Sequence, residues 1–113
     1  MKVPNAESAV VDSRKLRDYS LNPAHGTGKH KARVFAAALG MTADDAEALR
    51  DILLRVVVEC DAELGLQDSY GQRYLVDFPL SWKGRRAVIR SAWIIEPDVS
   101  YPRLTSCYVL RES

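Results

Sequence analysis

The residues best suited to chemistry lie in one short run, residues 26–33, with the sequence GTGKHKAR. His30 can take or give a proton near neutral pH, and Lys29 and Lys31 beside it can bind a phosphate. The run precedes an apolar segment, so it marks the start of a predicted helix, where unpaired backbone N–H groups attract anions. Cations are unfavourable there by roughly a few tenths of a kcal/mol each, which hints at a role other than folding. The alternative is a solvated basic first turn.

Three helices are predicted to position this run. A short helix covers residues 14–21, and a second covers residues 29–39 and is closed by Gly40. The second helix should bury the stripe Val34, Phe35, Ala38 and Leu39. Thr42 is a strong N-cap for a third helix, which reaches about Cys60 and carries apolar residues at three- and four-residue steps.

The apolar period changes after the third helix. Residues 62–66 predict a short edge strand, and residues 73–80 alternate between apolar and polar. Residues 86–95 and 103–110 are rich in β-branched and aromatic side chains, so they predict two further strands. This order predicts an α+β fold: about three N-terminal helices packed on a C-terminal antiparallel sheet of three to four strands, a meander, in a single domain over residues 1–113.

The composition is that of an ordinary globular chain. The protein has 113 residues, of which 47% are hydrophobic and 27% are charged. The sequence contains no apolar run near the roughly 20 residues that span a bilayer, and its first residues lack an apolar export signal. Cys60 and Cys107 lie far apart among apolar neighbours, which indicates buried free thiols. We therefore expect a cytoplasmic protein without a membrane partner.

The charge is unevenly distributed along the chain, although the net charge is only +1. Residues 1–41 carry seven Lys/Arg and three Asp/Glu, and residues 69–113 carry seven and four. The segment between them, residues 42–68, carries two Lys/Arg and eight Asp/Glu. If the two basic segments meet in space, they form a positive face that can attract a polyanion. The alternative is that both signs intermix over the folded surface.

A second group of candidate residues lies on the last two strands. Ser91 and Trp93 are two residues apart and share a face, whereas Arg90 points to the opposite face. Ser91 can bond the neighbouring strand or a phosphate oxygen, and Trp93 can pack in the core or stack on a base. Arg103 and Thr105 can extend a polar patch, with bonding to the partner strand as the alternative for both.

Two motifs together resemble the colicin D-like ribonuclease toxin domains, which belong to the barnase-like and RelE-like group of bacterial toxins. These motifs are Lys29-His30 in the helical half and residues 91–97, SAWIIEP, late in the sheet. The resemblance implies that His30 is the catalytic histidine, Lys29 a phosphate-binding lysine, and Ser91 and Trp93 the strand pair. The whole chain is also similar to a bacterial domain family with no assigned activity, through the segments GKHKARVF, YGQRY, DFPL, RSAW and CYVL.

The resemblance implies metal-independent cleavage of RNA without a cofactor, and tRNA is the expected substrate. The ribose 2′-OH attacks the adjacent phosphorus and leaves a 2′,3′-cyclic phosphate and a 5′-hydroxyl. His30 is then the general base or acid, and Lys29, Lys31 and Arg90 stabilise charge on the phosphate. The side chains expected to bind RNA are Arg33, Arg90, Arg103, His25 and Thr105. His25 can also serve as a second proton carrier, with an ordinary loop histidine as the alternative.

The partners follow from this chemistry. A toxin of this kind acts on RNA and needs a cognate antitoxin or immunity protein, expected to be acidic and to cover the basic face. The alternative is a non-catalytic RNA- or protein-binding module of the same fold, as part of a toxin–antitoxin pair. A hydrolase of a small phosphorylated substrate is a third class; Ser91 and His30 lack the nucleophile-elbow motif of serine hydrolases.

Overall fold

The computed structural model describes residues 1–26 and 29–112, so Thr27 and Gly28 of the basic run lie outside the described residues. The first helix, α1, comprises Ser13–Lys15 and continues as a π-helical turn over Leu16–Ser20. The other α-helices of this part of the chain are α2 (Lys29–Leu39) and α3 (Ala46–Glu59), and its strands are β1 (Glu63–Asp68), β2 (Gly71–Trp82), β3 (Arg85–Ile95) and β4 (Arg103–Glu112).

The strands form one sheet in the order β1-β2-β3-β4, and each pairs with its neighbour in antiparallel orientation. Tight turns set this order, because Lys83 and Gly84 between β2 and β3 both have positive φ, at 47° and 83°. The predicted α+β fold, with helices followed by an antiparallel meander, is confirmed.

The ends of the helices are fixed by local capping contacts. The backbone N–H of Arg14 donates to Asp12 Oδ1 at 2.9 Å, which caps α1. The backbone N–H of Thr42 donates to Asp45 Oδ2 at 3.0 Å in the turn before α3. Gly40 ends α2 with a φ of 70°, a conformation that favours glycine. The predicted second helix is confirmed at both ends.

The core lies between the helices and one face of the sheet. Alternate residues of β2 are buried there, namely Tyr74, Val76, Phe78 and Leu80. Their partners across β3 are Trp93, Ser91, Ile89 and Ala87, which are all fully buried. The strand alternation therefore decides which side chains meet the helices and which face away from them.

The buried stripe of α2 differs from the prediction at one position. Val34 is 44% exposed, whereas Ala32 is 2% exposed and takes its place in the core. Ala32 and Phe35 are three residues apart and lie on the same side of the helix, while Val34 is turned about 100° from Phe35. The consequence is that the small Ala32 brings the start of α2 close to the sheet.

Both cysteines are free thiols, as the sequence predicts. Cys107 on β4 is 1% exposed, and burial raises the pKa of its thiol to about 12, although the charge of Lys31 acts in the opposite direction. A thiol that stays protonated is a poor nucleophile, so Cys107 has a packing role. Within residues 1–26 and 29–112, none of the helices has the length and apolar character needed to cross a membrane.

Candidate phosphate-binding site

The basic run begins α2 and presents its histidine to solvent. Lys29 is the first residue of α2, and its backbone N–H donates to the carbonyl oxygen of His25 at 3.0 Å. His30, the second residue, is exposed, and Lys31, the third, is half-buried on the side of the helix nearer the sheet. One helical turn therefore holds a solvent-facing proton carrier beside a cation directed at the sheet.

Lys31 contacts a tyrosine of the edge strand β4. Its ammonium nitrogen lies 4.8 Å from the centre of the Tyr108 ring, which is a cation–π contact. Tyr108 is half-buried, so part of the side chain remains open to solvent. The contact ties the start of α2 to β4.

Arg90 lies on the face of the sheet that points away from the buried Ser91, as the strand alternation predicts. Its Nε donates to Asp77 Oδ1 and its Nη2 to Asp77 Oδ2, both at 2.9 Å. The side chains of Arg90 and Asp77 are only 27% and 33% exposed. The pKa of Arg90 lies above its ordinary value, chiefly because of the hydrogen bond with Asp77, with a smaller contribution from Tyr108. This guanidinium is thus a fixed cation.

Tyr108 connects the two cations. It is the β4 partner of Arg90, just as Asp77 is the β2 partner, so the three residues form one row across the strands. Lys31 reaches the same tyrosine from α2. We call Lys31, Asp77, Arg90 and Tyr108 the Tyr108 cluster. No role was predicted for Tyr108 or Asp77, although they lie in the segments CYVL and DFPL. A further signal was the strand alternation, which places Tyr108 on the face opposite to the buried Cys107.

Ser91 and Trp93 occupy the core, which is the alternative to a contact with RNA that the sequence left open for both residues. Both are 0% exposed. The Ser91 hydroxyl donates to the carbonyl oxygen of Val76 at 2.8 Å and accepts from Trp93 Nε1 at 2.9 Å. The shared face of these two residues is the helix-covered face, and the buried indole N–H needs a partner there. Neither side chain therefore reaches an exposed surface that it could share with His30.

Arg103 and Thr105 lie away from the Tyr108 cluster along β4. Arg103 pairs with Ile94 of β3 and its Nε donates to Glu96 Oε1 at 3.0 Å. The Thr105 hydroxyl donates to the carbonyl oxygen of Ala92 at 3.1 Å. For Thr105 the structure thus shows bonding to the partner strand, which was the alternative to a contact with RNA.

The other two predicted RNA-binding residues are on the helical side. Arg33 is exposed on α2. His25 lies in the loop before α2, where its ring meets the ring of Tyr19 edge-on with the centroids 4.5 Å apart. Of the predicted site residues, Lys31 and Arg90 therefore share Tyr108 as a neighbour, and Lys29 and His30 are adjacent to Lys31 in the same turn.

One surface groove lies apart from the Tyr108 cluster, and another shares Asp77 with it. One, of about 450 Å³, is lined by Arg85 and Arg86 and reaches Ala38 near the end of α2, away from His30. The other, of about 290 Å³, is lined by three carboxylates, Asp61, Glu63 and Asp77, together with Ala62 and Leu75. Among the residues that the structure describes, no group of three His, Cys, Asp or Glu side chains is placed to hold a metal ion.

Comparison with known proteins gives a family and a related fold. No curated protein matches the chain. Among solved structures, the chain is similar to a chain of the "Contact-dependent growth inhibition toxin - immunity protein complex from Klebsiella pneumoniae 342", with 16% identity and a TM-score of 0.67 over 93% of this chain and 96% of that one. At this identity the similarity shows a shared fold. The sequence model of the "Domain of unknown function (DUF6883)" matches residues 2–111, and the chain therefore belongs to that family.

Proposed function

We propose that the chain is a toxin with metal-independent endoribonuclease activity, acting on tRNA. The observation that supports this proposal is that Lys31 and Arg90 both lie beside Tyr108. Lys31 directly follows the exposed His30 in the sequence. Two cations from distant parts of the sequence thus approach one surface position next to a side chain that can carry a proton. A phosphodiester is the substrate group that such a site suits.

The proposed reaction consumes no water in its first step. His30 takes the proton of the ribose 2′-OH as the O2′–P bond forms, and the P–O5′ bond breaks. The O5′ leaving group receives a proton from an acid, either the protonated His30 or a second group such as His25. The products are a 2′,3′-cyclic phosphate and a 5′-hydroxyl. Lys29, Lys31 and Arg90 stabilise the charge that builds on the pentacovalent phosphorus.

The charges around the site favour one direction of approach for RNA. On the β1 side, the groove is lined by the carboxylates Asp61, Glu63 and Asp77, the first paired with Lys2 and the last with Arg90, so this lining gives a polyanion nothing to bind. On the opposite side, Lys29, Lys31 and Arg33 extend from the start of α2. RNA therefore reaches Arg90 from the β4 and α2 side, across Tyr108.

The related fold supports the biological setting of the proposal. The solved complex pairs a toxin with an immunity protein, according to its title. If this chain is a toxin, the cell that makes it needs a cognate antitoxin or immunity protein. An acidic partner that covers Lys29, Lys31 and Arg33 would block the same surface that RNA uses.

A second candidate function has an observation in its favour. Ser91 and Trp93 are fully buried, so two of the five residues expected to act in catalysis have structural contacts instead. A non-catalytic RNA- or protein-binding module, within a toxin–antitoxin pair, needs the cationic surface but neither of these side chains. The two candidates differ in whether RNA is cut.

Expression of the chain alone in bacteria tests the proposal. We expect growth arrest and the appearance of discrete tRNA fragments, because no cognate inhibitor is present. The measurements are growth after induction and a denaturing gel of total RNA. Folded protein at high level with normal growth and intact RNA would contradict the enzyme and favour the binding module.

A further inference from the structure

We propose that Tyr108 is a catalytic residue that binds the reacting phosphate, and that Asp77 is the positioning residue that aims Arg90 at the same phosphate. The Tyr108 hydroxyl donates a hydrogen bond to one non-bridging oxygen, and Arg90 binds another. The inference rests on the proposed function and adds two residues that lie outside the motifs Lys29-His30 and SAWIIEP.

The position of Tyr108 supports a role at the substrate. The tyrosine lies between a helix cation and a strand cation: Lys31 Nζ is 4.8 Å from its ring centre, and Arg90 is its cross-strand partner on β3. It is half-buried on an edge strand, so part of its side chain is open to solvent at this position.

The geometry of Arg90 explains the need for Asp77. A guanidinium has five N–H donors in a planar fork, and the two bonds to Asp77 use one edge of that fork. These two bonds leave the Nη1 donors of the fork unused by Asp77. Because the carboxylate holds the fork at two points, Arg90 cannot rotate away from the row that contains Tyr108. Asp77 thus fixes the direction of the remaining donors without touching the substrate.

The chemical step requires donors at this point. As the 2′ oxygen adds to phosphorus, negative charge grows on the non-bridging oxygens, and hydrogen bonds to them become stronger than in the ground state. Tyr108 keeps its proton throughout and forms no covalent bond. Its contribution therefore falls on the rate of cleavage more than on the binding of RNA.

The rival explanation is that Tyr108 only fastens α2 to β4 through its ring. Tyr108→Phe separates the two roles, because it keeps the ring under Lys31 and removes only the hydroxyl. Tyr70→Phe is the matched control, since Tyr70 is 71% exposed in the turn between β1 and β2. The measurements are kcat and KM on tRNA, with a thermal melt of each variant.

We expect Tyr108→Phe to lower kcat by about 10²-fold while KM and the melting temperature stay near the wild-type values. Tyr70→Phe should match wild type in all three. Asp77→Asn, which retains the shape but weakens the hold on Arg90, should also lower kcat, and a variant carrying both changes should lose less than the product of the single losses. The coupling places both residues in one network with Arg90, and a lower kcat at unchanged KM and melting temperature distinguishes them from residues with a merely structural role.

The outcomes separate the inference from the proposed function. If wild type cleaves RNA and Tyr108→Phe cleaves equally fast, the inference is overturned and the endoribonuclease stands. If the folded wild-type protein cleaves no RNA under any condition tested, the proposed function fails, and a catalytic role for Tyr108 fails with it. A loss confined to KM would assign Tyr108 to RNA binding and overturn its role in the chemical step.

Discussion

His30→Ala is expected to lower the rate of RNA cleavage by about 10²–10⁴-fold, the usual contribution of a general acid–base group. The fold should survive, because His30 is exposed at the second position of α2, outside the core. Alanine is also a better helix former than histidine. Cleavage of tRNA and a thermal melt, measured on the same preparation, give both quantities.

His25→Ala is the companion variant, which tests whether the second histidine takes part in the reaction. It removes the other histidine of the chain, whose ring contacts Tyr19 in the loop before α2. If His25 supplies the proton to the leaving group, its loss lowers the rate too, whereas an ordinary loop histidine leaves the rate unchanged. If His30→Ala cleaved RNA at the wild-type rate, His30 would not be the proton carrier. Unfolding of His30→Ala would mean that the basic turn has a structural role.

Trp93→Ala is expected to lower the free energy of unfolding by about 3–5 kcal/mol, the cost of deleting a large buried side chain. Trp93 is 0% exposed and is among the largest fully buried side chains. Denaturant unfolding measures the effect. Since small domains have only about 5–15 kcal/mol of stability, this loss is a large share of the total.

Ser91→Ala tests the same buried bond without a large cavity. It leaves the Trp93 indole N–H without its acceptor, at a cost of about 1–3 kcal/mol. The cleavage rate per folded molecule should stay at the wild-type value, because the Ser91 hydroxyl is enclosed between Val76 and Trp93. If Ser91→Ala were as stable as wild type but cleaved RNA more slowly, Ser91 would have a role in catalysis.

The strand pattern was readable because burial alternates strictly along the middle of the sheet. Tyr74, Val76, Phe78 and Leu80 are apolar at every second position and all face the helices. Hydrophobic burial therefore specifies the register, and a shift by one residue would expose this whole set. The C-terminal end of α2 could be predicted for a similar local reason, because glycine readily adopts the positive φ that Gly40 has at the end of this helix.

The composition of the site was harder to predict because it depends on register between strands. Arg90 meets Asp77 and Tyr108 only because β2, β3 and β4 align them in one row, and a single strand cannot reveal its partners. The motif SAWIIEP misled for a related reason. Its Ser91 and Trp93 share a face, but spacing alone does not say whether that face meets the helices or the solvent.

The chemical ends of the RNA fragments test the central claim most directly. Purified wild-type chain is incubated with tRNA in excess chelator, and the fragment ends are identified by enzymatic end-labelling and mass spectrometry. Attack by the 2′-OH, with charge stabilised by lysine and arginine side chains, predicts cleavage under these conditions, with 2′,3′-cyclic phosphate and 5′-hydroxyl ends. Cleavage that requires magnesium and leaves 3′-hydroxyl and 5′-phosphate ends would contradict it, as would intact tRNA.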